Sequence, residues 1–390
     1  MSNYNETTDY RNTLLKELYS GNIPQRVPET VSVIGSAALQ LAGYDLRYDQ
    51  YGVSKLVDSA DKLNARYDSD ELLGGMLGNL TTPHTDIFSG SNMFIMGADG
   101  MIQHPEHQYM MEDELLEFAQ DPPAFIWDKV VPRLYKNFNK EYPQNLIALV
   151  KTIKSTENYT KRLFSATREL AAKYNKATLK VVIANSRSPF DYYADMMRSF
   201  TGSMIDIRRQ PQNVLEVVES IAPYMVFNGL YSEKGAPSRM RRVGFMCHMA
   251  TYMRKKDFEK FWWPSFKEVI WDIYNRGFHS YIFCEEDWTG LLDYLDELPP
   301  LCEIMFEKGD LKTIKEKVGQ KHIIRGYFPT QLLKYGTAED VEAKAKEVLD
   351  TMAPGGKFHF GLDNSIITQN DVNWDNFEIM LDTVHEYGKY

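Results

Sequence analysis

Little in this sequence departs from the ordinary globular class, and each thing it lacks removes an option. Its 390 residues include three cysteines, Cys247, Cys284 and Cys302, with no Cys-x-x-Cys pair. A fully paired disulfide framework is therefore excluded, and a reducing, cytoplasmic setting is the expectation. Excess positive charge is missing too: 44 lysines and arginines face 54 acidic residues, for a net charge of −10. That leaves no electrostatic case for a nucleic-acid partner. No apolar run is long enough to span a bilayer. The start, MSNYNETTDY, has neither the basic end nor the apolar core of a secretory signal. There is no repeat, no low-complexity tract, and no Gly-x-Gly-x-x-Gly after a strand, which disfavours a Rossmann sheet.

What is present is alternation. Residues 6–20 read as an amphipathic helix, and Val31–Leu41 as an apolar stretch leading into a tyrosine-rich segment. Residues 143–175 read as mostly helical. From there strand and helix signals alternate: strands over 179–184, 243–246, 279–284, 303–306, 322–324 and 357–360, with helices over 211–227, 264–276, 311–318, 338–352 and 374–388. Pro211 and Pro264 mark helix starts and Gly277 a helix end. At least six strand–helix units predict parallel sheet, and a closed (β/α)8 TIM-type barrel is the expected fold. The expected division is an N-terminal helical extension over 1–90, covering part of the mouth, and a barrel over 91–390.

Parallel-sheet enzymes place their chemistry at the carboxyl ends of strands, so the polar residues there are the candidates. Cys284-Glu285-Glu286-Asp287 ends one strand. Cys284 reads either as a zinc thiolate with nearby carboxylate ligands, or as a buried cysteine before a helix whose dipole suits acids. His248 ends another strand and is a candidate proton donor, metal ligand or structural histidine. His104 and His107 suit a metal only if their loop folds inward. Arg187 follows the 179–184 strand, Arg325 and Tyr327 come at the next-to-last strand, and Asp363 and Asn364 at the last. An arginine at such a mouth suits a carboxylate or phosphate, or else a surface ion pair.

Taken together, Ser188-Pro189-Phe190, Asp257–Pro264, Cys284–Trp288, Gly326-Tyr327-Phe328-Pro329, Gly336–Val341 and Gly355-Gly356-Lys357-Phe358 resemble, in order and spacing, the uroporphyrinogen decarboxylase superfamily over roughly residues 90–390. The branch that looks most similar contains the corrinoid-dependent methyltransferases, in particular those that demethylate methoxylated aromatics. True decarboxylases carry an arginine-rich N-terminal motif where this chain has only Arg26, and a histidine where it has Asp363. Coenzyme M members bind zinc through His-x-Cys and a later cysteine; here Ile282 and Asp363 stand at the non-matching places.

The resemblance implies a methyltransferase moving a methyl group from a methoxylated, aromatic small molecule to the cobalt of a separate corrinoid protein. No Asp-x-His-x-x-Gly segment for holding a corrinoid occurs in the chain itself. The expected catalytic residues are His248, Glu285 and Asp287, and the expected substrate-binding residues Arg187, Tyr327 and Asn364. A zinc ion is expected on Cys284, Glu307 and Asp363. Neither nucleic acid nor membrane is an expected partner, and a homodimer stays open. The alternatives are a uroporphyrinogen-type decarboxylase, or a non-catalytic barrel binding an aromatic or tetrapyrrole ligand.

Overall fold

The sequence punctuation falls where the elements begin and end. Pro211 opens the helix Pro211–Leu230, and Gly277, at φ +90°, follows the helix Trp263–Asn275. Thr337 and Asp340 form a reciprocal capping box at the start of Ala338–Met352, satisfying donors that have no intrahelical partner. The computed structural model describes residues 6–74, 87–179, 181–231, 233 and 235–390. Among these, no helix is long and apolar enough to cross a membrane.

A two-residue antiparallel hairpin, β1 (Ile95–Met96) and β2 (Ile102–Gln103), precedes the main sheet. Six parallel strands then follow in sequential order: β3 (Val182–Ser186), β4 (Arg242–Cys247), β5 (His279–Asp287), β6 (Glu303–Lys308), β7 (Ile323–Phe328) and β8 (Phe358–Leu362). Helices connect them and bury the outer face of the sheet; Phe245 and Ile282, for example, share one core with Trp262, Phe266 and Val348.

Residues 28–34 continue this wall. Thr30 N–H donates to Phe360 O (2.9 Å), Phe360 N–H to Pro28 O (2.9 Å), and Ile366 N–H to Ser32 O (2.8 Å), a parallel pairing beside β8. The stretch around Asp70 lies next to it: Glu29 N–H donates to the Asp70 carboxylate (2.9 Å), and Ala177 N–H to Asp70 O (2.7 Å), just before β3. The chain folds as a (β/α)8-type barrel with six regular strands, the remaining wall coming from these irregular N-terminal segments. Residues 28–34, expected within an extension, thus pair with the sheet itself; residues 1–5 and 75–86 of that expected extension lie outside the described residues.

Candidate active site at the barrel mouth

Side chains alternate between the two faces of a strand, and this parity sorts the candidates. On β5, Tyr281 and Phe283 face the barrel interior, where they line a cavity, so Glu285 follows on the inner side. Ile282 and Cys284 face the other way, into the core beneath the helices. On β4, Met246 lines the same cavity and His248 follows it by two residues. The strand ends therefore aim His248 and Glu285 at each other.

They meet. His248 Nε2 lies 2.8 Å from Glu285 Oε1, and its Nδ1 lies 3.1 Å from Asp195 Oδ2. Asp195 also takes a hydrogen bond from Arg187 Nη1 (2.9 Å). The Asp195 and Glu285 contacts outweigh burial and push His248 up to about 10, so at neutral pH it is an imidazolium between two carboxylates. It stays partly open to solvent, with 39% of its side chain exposed.

Asp195 is placed by the segment after β3. Ser188 caps it by accepting from Asp191 N–H (3.0 Å), and Pro189–Asp191 then runs into a π-helical stretch, Tyr192–Arg198. Asp191 is fully buried and accepts from the His248 and Met249 backbone amides (3.2 and 3.1 Å) and from Trp262 Nε1 (2.9 Å). Burial, reinforced by the nearby Asp195 charge, raises it to about 6. It fixes the backbone that carries His248. His104, from the loop after β2, packs against Phe94 with ring centroids 5.1 Å apart. Its pKa is lowered by burial while Asp195, Arg187 and His248 act on it, so the loop does fold towards the mouth.

A second group of contacts borders the first. β5 loses register with β6 beyond Cys284, and Glu286 takes φ +61°. This bulge leaves Glu285 facing His248 and turns Glu286 out to Lys308 (2.5 Å), consistent with bulges re-aiming side chains beside active sites. Glu307 accepts from Glu286 N–H (2.8 Å) and from Asn364 Nδ2 (3.4 Å).

Several expectations need correction. Cys284 is fully buried on the outer face, and burial raises its thiol well above its ordinary value, so it is a neutral core side chain. Asp363 accepts from Thr330 N–H (2.9 Å) and its hydroxyl, holding the start of the helix Thr330–Tyr335. With Glu307 engaged as above, Cys284, Glu307 and Asp363 do not form a shared zinc ligand set. Asp287 is exposed and holds the Thr289 amide and hydroxyl, so it is a turn residue rather than a catalytic one. Tyr327 is buried at φ +88°, and its hydroxyl has no hydrogen-bond partner among the described residues. Arg187 reaches the mouth through Asp195, and Asn364 lines the cavity below it. Among the described residues, the one group of three side chains at chelating distance is Glu29, Asp70 and His385. There both Asp70 oxygens are engaged by Arg26.

Sequence reasoning missed Asp195 and Asp191, which sit within a helical stretch where acids ordinarily face solvent.

Comparison with known proteins agrees with this architecture. No curated protein matches the chain. A solved structure described as a methyltransferase from Methanosarcina mazei shares the fold over 97% of this chain and 98% of its own, with a TM-score of 0.58 at 15% sequence identity. The family profile for uroporphyrinogen decarboxylase (URO-D) matches residues 129–387, from the helices before the long Gln144–Lys173 through the last helix. On that match, which takes in all six regular barrel strands, the chain belongs to the uroporphyrinogen decarboxylase (URO-D) family.

Proposed function

We propose that this protein is a methyltransferase that takes the methyl group of a methoxylated aromatic compound and delivers it to the cobalt of a separate corrinoid protein. The observation that carries the reading is the His248 imidazolium held between Asp195 and Glu285 at the barrel mouth. An aryl ether resists demethylation because phenolate is a poor leaving group unless its developing charge is stabilised or protonated. In the proposed step, cobalt(I) supplies the electron pair of the new carbon–cobalt bond. The carbon–oxygen bond breaks with its electrons going to oxygen, and the His248 Nε2 proton passes to that oxygen. Asp195 keeps Nδ1 in place, while Glu285 yields Nε2 to the substrate. Displacing one carboxylate lowers the His248 pKa from its resting value and so makes it a better acid at the moment of need.

Two further features favour this reading over decarboxylation. Arg26, standing where the decarboxylases carry their arginine-rich motif, is buried and bound to Glu6 and Asp70, so it has no donors left for substrate carboxylates. Asp363, standing at their histidine, is tied to Thr330. The corrinoid partner docks transiently, and the net charge of −10 suits a basic patch on it.

The test is to mix the protein, a methoxylated aromatic and a reduced corrinoid protein. Methyl–cobalt formation, followed spectroscopically, should match phenol release one for one. Carbon dioxide release from a porphyrinogen with no corrinoid requirement would overturn the reading.

A further inference from the structure

Below the mouth, the barrel interior holds a cavity of about 1060 Å³, extending between the 28–34 segment, the stretch around Glu71 and the long helix Gln144–Lys173. Met246, Phe283, Met305 and Leu362 give it apolar walls. Its volume is at the upper end of the range for small-molecule sites, which are mostly apolar with a few placed polar groups.

Arg325, from the middle of β7, faces this cavity. Its guanidinium makes no hydrogen bond to any described residue. Glu303 lies 3.7 Å away, the Glu71 carboxylate also acts on its charge, and the guanidinium lies 5.2 Å from the centre of the Tyr281 ring. The Glu303 oxygen nearest the guanidinium, Oε1, is already engaged by His359 Nδ1 (2.7 Å) and the Tyr19 hydroxyl (3.1 Å), while Oε2 has no hydrogen-bond partner among the described residues. An arginine has five donors in a planar fork suited to a carboxylate, and leaving them unused in a largely buried place is costly. One other group points the same way. Among the described residues, the Tyr281 hydroxyl has only the Met305 thioether as hydrogen-bond partner (3.0 Å), a weak acceptor. Glu71 also lines the cavity; burial raises its pKa while the Arg325 charge acts to lower it.

We propose that Arg325 is the anion subsite of an interior binding site for a planar aromatic carboxylate, with Tyr281 as a second donor. The strand register supports this placement. Phe283, Met305 and Arg325 form one layer across β5, β6 and β7, while Glu285 and Glu307 stand two residues further towards the mouth. Two residues of strand are about 7 Å, close to the length of one aromatic ring with its substituents. A carboxylate on Arg325 therefore sends the far end of the ring towards His248. Resting on the methyltransferase reading, this makes the substrate a methoxyarene carboxylate with its methoxy group opposite the acid.

Titration calorimetry on the whole protein tests the subsite without any turnover. 4-Methoxybenzoate and 6-methoxy-2-naphthoate are compared with their uncharged amides. At least one carboxylate should bind ten or more times tighter than its amide (roughly the effect of one charge-assisted pair). Arg325→Gln should erase that difference, and Arg325→Lys should restore part of it. Equal binding of acid and amide by the wild-type protein, or no binding of either acid, overturns the subsite whether or not Arg325→Gln folds. Tight carboxylate binding with no methyl transfer to a reduced corrinoid protein keeps the subsite and rejects the methyltransferase reading. Methyl transfer with equal acid and amide affinity does the reverse.

Discussion

Two charged clusters in this barrel use the same residue types to opposite ends. At the start of the 28–34 segment, Arg26 is buried, with Nη1 donating to Asp70 (2.9 Å) and Val27 O (3.0 Å) and Nε donating to Glu6 (2.9 Å). Arg11 and Lys176 share Asp68 beside it, each at 2.8 Å. Although burial alone would raise Asp70, the Arg26 charge and hydrogen bonds hold it well below the usual carboxylate range. Every donor of Arg26 has an acceptor, while Arg11 Nε has none among the described residues, and the network ties the irregular wall segments together. At the mouth, His248, Asp195 and Glu285 are paired but partly open to water, and just below them Arg325 has Glu303 near it at 3.7 Å yet makes no hydrogen bond to a described residue. Saturated charge in a closed place is architecture, whereas charge that a visitor can reach or complete is chemistry.

The largest expected effect comes from breaking the closed cluster. Arg26→Ala leaves Asp70 buried without its cation, and such losses run to about 3–5 kcal/mol. Thermal or denaturant unfolding should show it, together with reduced activity that tracks the folded fraction. If Arg26→Ala unfolds like the wild type, the wall is held by something else.

Breaking the open cluster should do the contrary. His248→Gln should fold normally by circular dichroism yet slow single-turnover methyl transfer by roughly 10²–10⁴-fold, the usual worth of a positioned general acid. Its stability should also depend on pH in a defined way. His248 is raised from its ordinary 6.5 to about 10, so the stabilisation from the two carboxylates is complete below about pH 6.5 and is lost as pH rises through 10. The gap in melting temperature between wild type and His248→Gln should therefore be widest at mildly acidic pH and close towards pH 10. A gap that widens with rising pH contradicts the assignment.

Asp195→Asn removes one of the two carboxylates and keeps the shape. The His248 titration, read by NMR of labelled imidazole, should move down from about 10, and the basic limb of the rate profile should move with it. An unmoved titration would leave Glu285 as the sole determinant. The smallest effect is expected at Cys284→Ala: about 1 kcal/mol of stability for a small core cavity, with turnover unchanged. A large loss of turnover in a folded protein would return Cys284 to the site.

These contrasts also explain what the sequence could and could not reveal. The six regular strands were legible because each is a short apolar run bounded by polar or Gly/Pro punctuation, as at Gly277 before β5. The 28–34 wall segment was not, because Val31–Leu41 read as one apolar stretch, which hid the strand-like alternation of Val31 and Val33 with polar Thr30 and Ser32. Its pairing with β8 depends on residues more than 300 positions away. His248 and Glu285 were legible as strand-end residues. Cys284 was misplaced although the parity was available: once Tyr281 and Phe283 face inwards, Cys284 must face out. Asp195 carries no local signal, since only the three-dimensional closure of the Tyr192–Arg198 stretch over the mouth brings it to His248.

The most direct test of the central claim, that His248 supplies the proton to the departing oxygen, is a leaving-group series. Single-turnover methyl transfer is measured for methoxyarenes whose phenols span a wide range of acidity, with the wild-type protein and with His248→Gln. The account predicts a shallow dependence on phenol pKa for the wild type and a steep one for the variant, so that the rate deficit is greatest for the least acidic phenols and nearly vanishes for the most acidic. Parallel dependences, with the same deficit at every phenol, would show that His248 does not protonate the leaving group.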